Sequence, residues 1–275
     1  MQLVELQGQL DGFQKRGLGV AALSYDSVEI LKDFALRRHI TYPLLSDPES
    51  KIIRSYGILN EIDFPKGHAL HGLPFPGTFV TDAQGIVRTK DFEPTYQERR
   101  TAASLLISRG DTARASVRET SNDQFSLRTS ASNAEAAPGH RVTLALDFKM
   151  AERMHAYAPG VKGYKPLGLR LVENPLVTLH EVNYPQSRPF VFEPLHETVP
   201  VFEGEFRILQ DVTVIGPARG AAPVDQIDLA GTLLYQVCSD KVCYAPSSMP
   251  VQWSLKLVPL DRERAPEALR KKPQP

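Results

Sequence analysis

Leu233-Leu-Tyr-Gln-Val-Cys-Ser-Asp-Lys-Val-Cys-Tyr-Ala-Pro246 holds both cysteines of the 275-residue chain, with four residues between them. Leu229–Val237 runs into it with the alternation of a half-buried strand, and Tyr244 to Pro246 ends it in a turn. Outward from this stretch the pattern is strand after strand: Val142–Phe148, Leu167–Val172, Leu176–Val182, Gly204–Ile215 and Val251–Val258, separated by turns containing Pro and Gly. Helical periodicity is almost absent here, so residues 141–260 read as an all-β sandwich or barrel.

Upstream the pattern changes. Leu3, Leu6, Leu10 and Phe13 form one apolar helical stripe that Gly17 and Gly19 close off. Val20–Ser24 is a short strand, and Asp26 or Ser27 caps a helix carrying Val28, Leu31, Phe34 and Ala35. Ile40–Leu45 returns as an extended segment, which makes a β-α-β crossover. A Gly/His/Pro loop spans about 60–77. Thr78–Thr81 and Ile86–Lys90 then flank the turn Asp82-Ala-Gln-Gly85, and Tyr96–Ile107 reads as a closing helix. Residues 1–110 are therefore α/β. Residues 111–140, rich in Ser, Thr, Ala, Asn and Arg, read as a linker leading into a poorly anchored first strand, and 261–275 as a disordered, charged tail.

Lys and Arg total 32 and so do Asp and Glu, so no net charge draws the chain to nucleic acid or an anionic membrane. No apolar run reaches the ~18 residues of a membrane span, and the first residues lack a basic start with an apolar core.

The first 108 residues resemble a redoxin of the peroxiredoxin (AhpC/TSA) family. The matching stretches are Leu3–Gln7, Gly19–Ser27, Tyr42-Pro-Leu-Leu-Ser-Asp-Pro48, Tyr56-Gly57, and Gly72–Asp82 with Gly85. The resemblance implies a thioredoxin-like fold, here incomplete, with a cis-proline facing the active-site cysteine; Pro76 is the candidate. It also implies a peroxidatic cysteine just before the helix that starts at Met1, and no cysteine stands there. A helix N-terminus lowers a thiol's pKa and stabilises the attacking thiolate, so without that cysteine the half-domain has no peroxidase chemistry. The absent cap and strand before Leu3 lead to the expectation that Met1 is an internal codon or a fragment end.

The second half, about 115–258, resembles the immunoglobulin-like N-terminal domain of the thiol:disulfide interchange protein DsbD. Leu233–Pro246, Met249-Pro-Val-Gln-Trp253, Met154–Gly160 and Glu197–Pro200 carry it. The resemblance implies that Cys243 is the attacking thiol and Cys238 the resolving one. It also implies an aromatic cap over the sulfurs, for which Tyr235, Tyr244 and Tyr157 are candidates; core packing of the same rings is an equal alternative. An extracytoplasmic setting follows from the same likeness.

Taken from spacing alone, Cys238 and Cys243 form a redox pair or a structural staple; a ring this short stabilises by only roughly 2 kcal/mol. Zinc would need four ligands, and no further Cys or His lies near. His68 and His71 have i, i+3 spacing but sit in a Gly-rich loop, and Lys241 reads as a solvated charge. No cofactor and no metal are assigned. The expected function is a thiol–disulfide oxidoreductase of the peroxiredoxin family. It would exchange electrons with a thiol/disulfide protein partner such as a thioredoxin-like donor, and with a hydroperoxide as substrate of the complete protein. The alternative is a non-catalytic, protein-binding β-sandwich with a structural disulfide. The two differ in the reduction potential of the cysteine pair.

Overall fold

The computed structural model describes residues 2–61, 68, 71–92, 96, 98–113, 115–192, 197–218, 220–261, 263 and 266–269. The chain divides into two compact units, 1–102 with 260–275, and 103–259. Among the described residues no helix is long and apolar enough to cross a membrane.

The first unit contains α1 (Gln2–Gly8), α2 (Leu10–Gln14), β1 (Ala22–Ser24), α3 (Val28–Arg38), β2 (Leu44–Ser46), α4 (Lys51–Ser55), β3 (Gly77–Thr81), β4 (Val87–Phe92) and β5 (Arg99–Arg100). The expected crossover is present: β1 pairs in parallel with β2, Ala22 opposite Leu44, and α3 connects them. Ser27 caps α3, its Oγ accepting from the Ile30 N–H at 3.5 Å, and His39 ends it in the left-handed region at φ 53°. Asp47 caps α4 more fully, accepting from the N–H groups of Lys51 at 3.0 Å and Ile53 at 2.9 Å. β3 and β4 form the expected hairpin, with Asp82 accepting from the N–H groups of Gln84 and Ile86 in the turn.

Three expectations are corrected. Helix α5 covers only Ala102–Ile107, not Tyr96–Ile107. The Arg99 guanidinium donates to the carbonyls of Tyr96 at 2.7 Å and Glu98 at 2.5 Å, occupying acceptors an earlier helical turn would use. The Phe75–Pro76 bond is trans, as are all peptide bonds among the described residues. Phe75 is held by its N–H donating to the Ile58 carbonyl at 2.7 Å and by its ring stacked on Tyr96, and a trans bond is the ordinary state for the residue pair so fixed. In the supposed tail, Asp261 and Glu263 bond the guanidinium of Arg38, Glu263 also pairs with Arg37, and Glu267–Leu269 is a 3-10 turn. Residues 270–275 lie outside the described residues.

The second unit is a β-sandwich of the immunoglobulin-like kind. Its strands are β6 (Ala115–Ser121), β7 (Phe125–Ala131), β8 (Glu135–Ala136), β9 (His140–Met150), β10 (His155–Tyr157), β11 (Gly168–Leu171), β12 (Val177–Asn183), β13 (Arg188–Phe192), β14 (Glu197–Glu203), β15 (Glu205–Val214), β16 (Gln226–Tyr235), β17 (Val237–Cys238) and β18 (Ser247–Leu257). One sheet runs β12-β15-β9-β7-β6, a second β11-β16-β18-β8, and a third β13-β14-β10-β17. Leu144, Leu146, Ile208 and Val212 of the first face Leu229, Leu233, Trp253 and Leu255 of the second across one core, all virtually without solvent contact. The Trp253 indole N–H donates to the Ser130 carbonyl at 3.0 Å, tying β18 to β7.

The segment 111–140, expected as a linker leading into a poorly anchored first strand, holds three strands, β6, β7 and β8. β7 pairs with β9 along its whole length, Phe125 opposite Met150 through Ala131 opposite Leu144. Thr129, Ser130 and Ala131 are buried because their small volume lets neighbouring layers approach, not because the segment is loose.

Candidate functional site

The third sheet positions the cysteines. Cys238 ends β17 and lies opposite His155 of β10, which in turn pairs with β14. After Cys238 the chain turns back through Ser239-Asp-Lys-Val242 so that Cys243 faces Cys238 as an antiparallel bridge. Ser239 closes this turn: its N–H donates to the Val242 carbonyl at 2.8 Å, and its Oγ accepts from the N–H groups of Lys241 and Val242 at 3.1 and 3.0 Å. Asp240 in the turn pairs with Arg153. The two cysteines are disulfide-bonded with Cα atoms 4.1 Å apart.

Their environments differ. Cys238 is 1% exposed and packs with Tyr157, Val199 and Val201, whereas Cys243 is exposed, between the exposed Val242 and Tyr244.

Tyr157 joins the two. It is 3% exposed, and its hydroxyl stands 3.2 Å from Cys238 Sγ and 3.4 Å from Cys243 Sγ. Burial, assisted by Tyr164 and Glu197, pushes this phenol up to about 12, so it keeps its proton and serves as a donor at neutral pH. The Tyr157 ring stacks on Tyr164 at 4.3 Å, and the Tyr164 hydroxyl donates to Glu197 Oε2 at 3.1 Å. His155 sits edge-on to Tyr157 at 5.7 Å; burial lowers its pKa, against the pull of Glu203 and Asp240.

Of the three expected capping tyrosines, the structure brings Tyr157 to the sulfurs. Tyr244 flanks Cys243 on the surface, its N–H donating to the Val237 carbonyl at 3.0 Å. Tyr235 instead packs edge-on against Phe125 at 5.0 Å in the main core, because alternation along β16 turns it to the sandwich interior. Lys241 is exposed on the turn. His71 donates its N–H to the His68 carbonyl at 3.0 Å, and among the described residues no three His, Cys, Asp or Glu side chains gather as a metal site.

Tyr164, Glu197 and Gln236 were not expected as site residues from sequence. Gln236 accepts from the Lys165 N–H at 2.9 Å and donates to the Tyr244 carbonyl at 3.2 Å, bracing the Tyr164 loop against the cysteine turn. These contacts join positions more than 30 residues apart in sequence for Tyr164 and Glu197, a pairing no local pattern encodes.

Comparison with known proteins agrees with the division. Residues 1–90 match the AhpC/TSA family, and residues 122–252 match the family described as thiol:disulfide interchange protein DsbD, N-terminal. A peroxiredoxin of Mycobacterium tuberculosis is 32% identical over 86 residues, 31% of this chain and 54% of that protein. Alkyl hydroperoxide reductase C of Staphylococcus aureus is 30% identical over 95 residues, 33% of this chain and 46% of that protein. The chain thus spans about half the length of the curated relatives it matches. Among solved structures, the N-terminal periplasmic domain of ScsB from Proteus mirabilis is similar at 14% identity and TM-score 0.39, covering 51% of each chain. The reduced DsbD N-terminal domain of Neisseria meningitidis is similar at 14% identity and TM-score 0.29, over 41% of this chain and 80% of that one. The chain therefore joins an AhpC/TSA-type redoxin segment to a DsbD N-terminal-type domain, both from thiol–disulfide redox families.

Proposed function

We propose that the second unit is a thiol–disulfide exchange domain whose working pair is Cys238 and Cys243. The observation that carries this is the asymmetry of the disulfide: one cysteine exposed, the other buried, and one phenol within hydrogen-bonding distance of both sulfurs. A staple needs no such arrangement. An incoming thiolate attacks Cys243 Sγ along the open side and forms a mixed disulfide, and the bonding pair of the broken S–S bond remains on Cys238 Sγ. Tyr157 then donates to that buried thiolate, which packing alone would leave unsolvated. In the opposite direction Cys243 is the thiolate that attacks a partner disulfide, and Cys238 resolves the adduct.

The partner this site suits is a protein thiol of the thioredoxin-like kind. The AhpC/TSA-type segment has no cysteine within residues 1–110, so any redoxin thiol that exchanges with the pair lies outside these 275 residues. A hydroperoxide is the oxidant class such a thiol serves.

The test is a redox titration of the full chain, with trapping by a reduced thioredoxin whose resolving cysteine is replaced by serine. The expected result is a potential above about −300 mV, the region of structural disulfides, and an adduct that peptide mapping places on Cys243. A potential at or below that value with no adduct overturns the reading and leaves a stapled binding module.

A further inference from the structure

The backbone around the disulfide is held by more bonds than an intact S–S bond needs. The Ser239 N–H donates to the Val242 carbonyl at 2.8 Å on one side of the Cys238–Cys243 pair, and the Tyr244 N–H donates to the Val237 carbonyl at 3.0 Å on the other. The cysteines are therefore a non-hydrogen-bonded antiparallel pair, and their Cα separation of 4.1 Å is close to the ~4.5 Å that a ladder by itself gives such a pair. Side chains then close the turn between them. Ser239 Oγ accepts from the N–H groups of Lys241 and Val242 at 3.1 and 3.0 Å and donates to the Val242 carbonyl at 3.4 Å, which uses the full hydrogen-bonding capacity of a hydroxyl. Asp240, in the turn, pairs with Arg153 from the connection between β9 and β10.

We propose that Ser239 and the Arg153–Asp240 pair are positioning residues that keep this turn closed when the disulfide is open, so that the turn sets the reduction potential of Cys238–Cys243. This rests on the exchange function above and names what tunes it. While the S–S bond is intact it closes the 238–243 ring by itself, and the bonds of the turn duplicate it. They act in the reduced and mixed-disulfide states. A turn already closed has lost the chain entropy that ring closure costs, which raises the effective concentration of Cys238 at Cys243. That one quantity acts twice. In the resolving step the Cys238 thiol loses its proton to solvent, its thiolate attacks Cys243 Sγ, the S–S bond between the cysteines forms, and the partner leaves as its thiolate. The rate of this step is proportional to the effective concentration. At equilibrium with glutathione, two glutathione thiols supply two electrons and two protons, the disulfide becomes two thiols, and one glutathione disulfide forms. A higher effective concentration favours the oxidised chain and lowers the potential. The stabilisation is reciprocal, since the disulfide holds the turn by as much as the turn holds the disulfide.

Neighbouring groups have other attachments. Lys241 contributes its backbone N–H to the turn, and its side chain is exposed. Gln236 bonds the Tyr244 carbonyl from outside the 238–243 ring and also accepts from the Lys165 N–H, so replacing it would loosen the Tyr164 loop as well. Asp240 acts on the buried His155 in addition to Arg153. Ser239 and Arg153 are thus the positions at which the turn is loosened with least change elsewhere.

The test equilibrates the full chain with reduced and oxidised glutathione, and follows the reaction of the reduced chain with 5,5′-dithiobis(2-nitrobenzoate). The first thionitrobenzoate released marks attack by Cys243, and the second marks resolution by Cys238. Ser239→Ala should lower the equilibrium constant for disulfide formation about tenfold, the net worth of one to two hydrogen bonds, which raises the potential by ~30 mV. The ratio of second-phase to first-phase rate constants should fall by a similar factor, and Ser239→Thr, which keeps the hydroxyl, should restore both. Arg153→Gln should act in the same direction by about threefold at low salt, and ~1 M salt should abolish the difference because the pair is exposed. Thermal melting identifies any variant that has lost its fold, and Arg153, exposed and outside the turn, is the safer of the two positions. An unchanged potential and phase ratio in both Ser239→Ala and Arg153→Gln overturns the role of the turn while leaving the exchange function standing. Failure of the unsubstituted chain to equilibrate with glutathione, or first release from Cys238, overturns both.

Discussion

At the scale of single residues, burial decides what each polar group does. His140 begins β9 almost without solvent contact, and its Nδ1 accepts the Ala137 N–H at 3.3 Å, a bond open only to the neutral ring. Burial brings its pKa down from 6.5 to about 4. The folded chain therefore refuses a proton that the unfolded chain takes up between these values, so His140 makes stability fall as pH drops through that window. From pH 7 to pH 5 the loss is about 2 kcal/mol. Urea unfolding at both pH values, compared between the unsubstituted chain and His140→Gln, isolates it: the pH 5 deficit should shrink in the variant. Tyr157 obeys the same rule with opposite effect, since burial fixes the proton on its oxygen and makes it a donor to sulfur. Neither property can be read from residue type; Tyr235 and Tyr157 looked equivalent in sequence, and only the direction each faces separates them.

At the scale of elements, tight approach between strands sets the sensitivities. Gly231 on β16 lies opposite Leu171 on β11, and a Cβ added there would meet Leu171 Cδ2 at 2.7 Å and the Arg170 carbonyl oxygen at 2.8 Å. The leucine can shift but the backbone oxygen is held in the ladder. Gly231→Ala should thus destabilise the second unit by about 1–3 kcal/mol, measurable as a lower urea midpoint with an unchanged slope. Strands whose alternation uses large apolar side chains were legible: β9, β12, β15, β16 and β18 appear within a few residues of where periodicity places them. β7 was not, although Phe125, Leu127, Thr129 and Ala131 alternate inward, because half of its buried face is small or hydroxylated and resembles a linker in composition. β10 and β17 are too short to show a period, so the elements that hold the site are the ones pattern reading cannot find. The cysteines themselves were plain, being the chain's two, with four residues between them. Their partners Tyr164 and Glu197 come from a loop and from the start of β14, brought together only by the third sheet.

At the scale of the molecule, the question is whether the disulfide holds the fold or the fold holds the disulfide. The main core runs through β7, β9, β15, β16 and β18, and neither cysteine belongs to it; Cys238 packs in a separate small cluster with Tyr157, Val199 and Val201. A ring of this length constrains the unfolded chain by roughly 2 kcal/mol. For a unit of the size of 103–259, that corresponds to a melting shift of about 4–8 °C and not to unfolding. The chain's one tryptophan, Trp253, lies in the middle of that core, so its fluorescence reports this unit alone. Thermal melts followed by Trp253 emission, with and without a reductant strong enough to open Cys238–Cys243, should show one cooperative transition in both states, lower by that margin when reduced. Such a fold survives both redox states, which a domain that cycles between them requires. Loss of the transition on reduction would instead make the disulfide structural and remove the physical basis for exchange at Cys243.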